Sequence, residues 1–122
     1  MGSISLFKIV QPSFTDAYNL LVSQNHPVPL SFKFLDVSEI LEKEQERYKK
    51  VYSEKVKECS TGEIDENGIP ILDPEKQKIA SKEITDFCKE TMIEFPDITK
   101  AEIAHATIEP KDLRILLGLI IP

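Results

Sequence analysis

Two histidines, two cysteines and a dense set of carboxylates are the side chains of this chain that could do chemistry. A zinc site needs three or four clustered Cys, His or carboxylate ligands. Here His26 and His105 lie far apart in sequence, and neither Cys-x-x-Cys nor His-Glu-x-x-His occurs. A nucleophile paired with a base would need Ser or Cys beside His, and no Gly-x-Ser-x-Gly elbow is present. Four glycines do not make a phosphate-cradling loop. Carboxylates such as Glu42 and Glu46 alternate with Lys and Arg, the pattern of a solvated helix face with i,i+4 pairs. His26, in a proline turn, reads as a solvated loop residue, and His105, among Ala and Ile, as a partly buried strand residue. The expectation is therefore a non-enzymatic protein with no cofactor and no metal ion.

Composition narrows the partners. The chain has 122 residues, enough for one domain with its own core. Its net charge is -6. Nucleic-acid binding depends on surplus Lys and Arg, so no nucleic acid is expected. No apolar run reaches the ~20 residues that span a bilayer, so no membrane partner is expected either. The N-terminal MGSISLFKIVQ lacks the apolar core and cleavage site of a signal peptide. The expected setting is the cytoplasm.

The elements that must position any working surface can be read in order. SISLFKIV, residues 3–10, reads as a first strand ended by Pro12. Ser13 can cap a helix running to about Ser23, with Phe14, Ala17, Tyr18 and Leu21 on one face. NHPVP, residues 25–29, reads as a turn. Leu30 to Cys59 is the dominant helix. Phe34, Val37, Leu41, Tyr48, Val51 and Cys59 recur on one side, interrupted by Glu44 and Lys55, and charge covers the other. Its length would be roughly 45 Å, and so narrow a stripe must pack on something. SFKF, residues 31–34, also alternates like a strand, and Asp36 with Glu39 could start the helix later.

The stretch ECSTGEIDENGIPILDPEKQ, Glu58 to Gln77, then turns the chain round. Gly62 suits a helix stop, and Asn67-Gly68 suits a type I′ turn. Asp73-Pro74-Glu75 restarts a helix with a cap, a proline at the first position and a favourable acid. This second helix runs to Thr91 with Ala80, Ile84, Phe87, Cys88 and Thr91 on its apolar face. Cys59 beside the turn and Cys88 well into the returning helix would lie roughly 20 Å apart along the axis, so two free thiols are expected.

MIEF, residues 92–95, reads as a short strand, and Thr99 with Glu102 as a capping box opening a helical turn. His105 to Ile108 reads as a returning strand. Pro110 opens a last helix, KDLRILLGLII, with Leu113, Leu116 and Leu117 facing the core. The fold class that follows is α+β: one domain, a long antiparallel helical hairpin at about residues 30–91, a small sheet, and short flanking helices.

Tyr48, Val51, Tyr52 and Val56 offer more apolar area than one short partner helix covers. They fit either an intramolecular core or a surface for another protein, since aromatic residues at helical spacing make good anchors. LLGLIIP at the C-terminus carries the same two readings.

The segments VPLSFKFLDVSEILEKEQERYKK, GEIDENGIPILDPEK and TKAEIAHATIEPKDLRILLGLI resemble a family of small uncharacterised proteins of phages and prophages of Gram-positive bacteria. The likeness covers roughly residues 20–121, most specifically the DENG turn and the EPKDL helix start, and it departs at Glu109, where a Ser-type cap is expected. The family brings no assigned chemistry and no functional residues. It implies a phage-encoded protein in a bacterial host cytoplasm or a virion. The expected function is protein–protein interaction through helix faces, as a homo-oligomer. The alternatives are an early protein that inhibits a host factor such as a defence enzyme, and a virion assembly or accessory component.

Overall fold

The computed structural model describes residues 2–122 as a mixed helix-and-strand fold. Eleven short or long elements follow one another: β1 (Gly2–Ser5), α1 (Leu6–Ile9), α2 (Pro12–Val22), α3 (Val28–Glu58), β2 (Ser60–Ile64), β3 (Pro70–Leu72), α4 (Pro74–Glu90), β4 (Met92–Phe95), β5 (Ile98–Thr99), α5 (Pro110–Ile115) and β6 (Ile120–Ile121). The sheet is not one piece but three two-stranded ladders: β1 antiparallel to β4, β2 antiparallel to β3, and β5 parallel to β6.

The first element departs from the expected strand over residues 3–10. Extended backbone stops at Ser5, whose hydroxyl accepts the Lys8 N–H and caps a single helical turn. Leu6 and Ile9, three apart, are both buried by that turn. In an extended chain their parity would send them to opposite faces. The next helix keeps its expected face, with Phe14, Ala17, Tyr18 and Leu21 buried, but starts at Pro12 rather than at a Ser13 cap.

The long helix is present and begins earlier than expected. Val28 and Pro29 of the expected turn already belong to its first turn, and neither the strand at 31–34 nor the later start at Asp36 forms. Its N-terminal half enters the core through Leu30, Phe34, Val37 and Leu41. The Tyr18 hydroxyl donates to the Phe34 carbonyl at 3.0 Å and lies 2.8 Å from Ser38 Oγ, tying α2 to α3 inside that core. Beyond Leu41, α3 buries no residue.

Two turn assignments are corrected. Gly62 does not stop α3. Cys59 is the C-cap in ordinary right-handed geometry, and Gly62 lies inside β2 with φ of 89° at an irregularity in the ladder. The DENG loop is not type I′, because Asn67 keeps a negative φ and only Gly68 is left-handed. Asp65 organises it instead. Its carbonyl accepts the Gly68 N–H, and its carboxylate accepts the N–H groups of Asn67 and Ile69. This is a type I turn closed by a left-handed glycine. Asp73 does cap α4, accepting the N–H groups of Glu75 and Lys76, with Pro74 at the first helical position.

The C-terminal third is more broken than the sequence suggests. The Thr99–Glu102 box forms in both directions, each bond at 3.2 Å, and turns of i,i+3 type follow. No strand forms over His105–Ile108, because residues 100–106 are bent into those turns. The last helix ends at Ile115 rather than running through Ile121, and Glu109 gives it no side-chain cap. Gly118, with φ of 101°, breaks the helical path and sends Ile120–Ile121 into β6. Leu116, Leu119 and Ile120 are buried, Leu113 is half-buried, and Leu117, expected inside, is exposed.

Glu102 also meets Lys33 of α3 at 2.9 Å. The Lys33 hydrogen bond, then the Thr99 backbone N–H, hold its carboxyl below the ordinary 4.5. A carboxyl depressed by folding adds stability above its unfolded value, and that stability is lost as pH falls. We therefore expect the urea midpoint to fall as pH drops from 4.5 toward the depressed value, with part of that fall absent in Glu102→Gln. An identical pH dependence in both proteins would show that the bridge is not coupled to folding.

Candidate functional site

The four residues singled out on α3 divide between two hollows. Tyr48 and Val51 line a groove of about 360 Å³ between α3 and α4. Tyr52 and Val56 line a narrow crevice with Cys59, Ala80 and Ile84, nearer the β2–β3 loop. The Tyr48 and Tyr52 rings are 6.0 Å apart and link the two. Val51 and Tyr52 remain 50% and 45% exposed, so neither belongs to a closed core.

Residues of α3 and α4 line the groove together without filling the space between them. The Asp73 N–H donates to the Cys59 carbonyl at 2.8 Å, so α4 starts where α3 ends. Toward the body of the molecule the gap is floored by Leu6, Cys88 and Ile93. At that end the Leu6 N–H donates to the Thr91 carbonyl at 2.8 Å, anchoring the end of α4 to α1. Cys88 is the only buried residue of α4. Phe87, read as part of a packed apolar face, is 63% exposed at the groove. Sequence periodicity identified these α4 residues as apolar, but it could not show that their partner face on α3 stands off.

The lining is mostly apolar and also includes Glu44, Arg47, Lys55 and Glu83. Burial raises the Tyr48 hydroxyl above its ordinary value, with Cys88 and Tyr52 adding to the effect, and burial likewise raises the Cys88 thiol. Both stay protonated near neutrality, so Cys88 is a poor nucleophile there. The two cations of the lining are each paired with an acid of the same helix. Arg47 meets Glu44 at 3.1 Å, and Lys55 meets Glu58 at 3.2 Å. Both thiols of the chain are buried and free.

The histidines are placed differently from either expectation. His26 is half-buried against the Phe34 ring rather than solvated, and His105 is exposed on a turn rather than set in a strand. The structure brings them together across 79 positions of sequence, with His26 Nδ1 2.8 Å from His105 Nε2. No local sequence signal could pair them. No group of three or more His, Cys, Asp or Glu suited to a metal ion occurs among the described residues, and no helix among them is long and apolar enough to cross a membrane.

Comparison with protein-family models, with curated proteins and with solved structures returns no match.

Proposed function

We propose that the chain is a non-enzymatic interaction protein, phage-encoded as the resemblance implies. Its working surface is the α3–α4 groove, and the occupant is an apolar helix face of a second copy. In this reading α3 and α4 act together as one antiparallel hairpin. The observation that carries it is the unfinished packing of this arm: only Cys88 of α4 is buried and nothing of α3 beyond Leu41, while Val51, Tyr52 and Phe87 stay open. Helices gain most of their stability by burying an apolar face, so a further layer is the natural complement. Exposed aromatics around an apolar groove fit the helix-in-groove mode of recognition.

Charge favours a second copy as that layer. The whole chain carries -6, but Glu42 to Glu58 holds five acidic and six basic residues, so this arm meets little net self-repulsion. Glu42, Glu44 and Glu46, with Lys43 among them, precede Arg47, Lys49, Lys50, Lys55 and Lys57, with Glu54 and Glu58 among those. Two copies laid antiparallel would set the acidic stretch of each against the basic stretch of the other, which fixes register.

Size-exclusion chromatography with light scattering, run across a concentration series, tests this. We expect the wild type to form dimers or larger closed assemblies. Phe87→Glu and Tyr52→Glu, both at open positions, should give monomers with unchanged helical circular dichroism. A wild type that stays monomeric at high concentration defeats self-association. Loss of helix in the variants would mean that these residues serve the monomer's own packing.

A further inference from the structure

We propose that the helix face entering each groove is the exposed Val28–Phe32–Leu35 stripe of α3 in a second copy, so that copies join groove to stripe. Resting on the self-association reading, this contact replaces its two-fold pair by an assembly of three or more chains. Val28, Phe32 and Leu35 are 68%, 65% and 54% exposed. Spaced at i, i+4 and i+7, they lie one above another on a single face of α3. Single exposed apolar side chains are ordinary, but three in a row on one helix make a continuous patch of the kind that marks an interface. On the other side of the helix Leu30, Phe34, Val37 and Leu41 are buried, so the stripe has no place in the molecule's own core.

Size and charge make the stripe a complement of the groove. The α3 wall of the groove runs from Glu44 to Lys55, about 16 Å of helix, and the stripe is about 10 Å long. α3 is also divided by charge. Residues 28–42 carry one cation, Lys33, against Asp36, Glu39 and Glu42, a balance of -2. Lys33 is already held by Glu102 at 2.9 Å, and the three acids are exposed. Residues 43–58, which supply the groove wall, carry six basic and four acidic side chains, a balance of +2. α4, across the groove, is neutral with four of each. An apolar stripe with an acidic border therefore meets an apolar groove on a basic arm, which favours the pairing and orients it.

The helix geometry decides the symmetry. At 3.6 residues per turn, Val28, Phe32 and Leu35 stand roughly half a turn around α3 from Tyr48, Val51 and Lys55. One copy thus presents groove and stripe on opposite sides. Two copies cannot fill both grooves at once, so the contact is heterologous and recruits a third chain.

The test is light scattering during size-exclusion chromatography of the full chain, alone and as mixed variants. We expect a wild-type mass of three chains or more. Phe32→Glu, on the side of α3 away from the groove, should be monomeric with unchanged helical circular dichroism. So should Phe87→Glu, which places a charge at the groove instead. Mixed, the two should give a complex of one chain each, because Phe32→Glu keeps its groove and Phe87→Glu keeps its stripe. A wild-type dimer, or a Phe32→Glu protein that assembles like the wild type, overturns the proposal and leaves self-association standing. A mixture that stays monomeric well above the concentration at which the wild type assembles overturns it too. A monomeric wild type defeats both. Should Phe32→Glu lose helix, Leu35→Glu takes its place in the same mixture.

Discussion

Replacing Phe34 by alanine is expected to lower the free energy of unfolding by about 3–5 kcal/mol, the range for deleting a buried phenylalanine side chain. Phe34 is 3% exposed and stands where three parts of the molecule meet. Its ring lies edge-on to Tyr18 of α2, with centroids 6.3 Å apart, and against His26 of the α2–α3 connection. The Phe14 ring stacks on Tyr18 in turn, so the loss propagates into the interior of α2. Protein interiors pack densely and relax only in part, so the truncated site keeps much of its void. Against a total of roughly 5–15 kcal/mol for a natural domain, such a loss approaches unfolding. Urea denaturation followed by circular dichroism measures it. Tyr52→Ala, at a 45% exposed position on the same helix, is the control and should cost under about 1 kcal/mol in the monomer. Equal losses at the two sites would contradict the division of α3 into a buried half and an open half.

That division marks the limit of what the sequence could reveal. The length of α3 was legible because Phe34, Val37 and Leu41 keep helical spacing and no glycine or interior proline interrupts the run to Glu58. The start of α4 was legible because Asp73-Pro74-Glu75 acts through bonds two or three residues long. Periodicity reports that a face is apolar. It does not report whether that face meets a partner, so Val51 and Phe87 carried the same signal as Val37. The switch at Ser5 was hidden because SISLFKIV satisfies strand propensity, while tertiary contact with α4 selects a helical turn. The histidine pair was illegible because it depends on two loops meeting, and loop paths follow from the packing of the elements they join. Of the four residues nominated for binding, all line a hollow. Their neighbours from α1, α4 and β4 became visible only once the chain was folded.

Gly118→Ala is expected to cost about 2–5 kcal/mol, the combination of a left-handed conformation imposed on a side chain and a collision with backbone. Its φ of 101° lies where alanine is strained. A Cβ there would stand 2.8 Å from the Ser3 carbonyl oxygen and 3.0 Å from Ile4 Cγ1. The crowding is mutual, because a Cβ on Gly2 would collide with the Gly118 carbonyl oxygen. Strand β1 and the turn before β6 thus approach through two glycines, and neither backbone can retreat easily. Retreat of β1 would disturb its ladder with β4, where Gly2 pairs with Phe95. Retreat of the turn would pull Leu119 and Ile120 out of the core. Gly68→Ala separates the two contributions. Gly68 has a φ of 76° but nothing within 4 Å of an added Cβ, so only the conformational cost of about 1–2 kcal/mol applies. Urea midpoints of the two variants, compared at equal slope, should rank Gly118→Ala well below Gly68→Ala. Matching midpoints would mean that the β1 contact gives way without cost, and that the C-terminal Leu119–Ile121 segment is not pinned by the N-terminal strand.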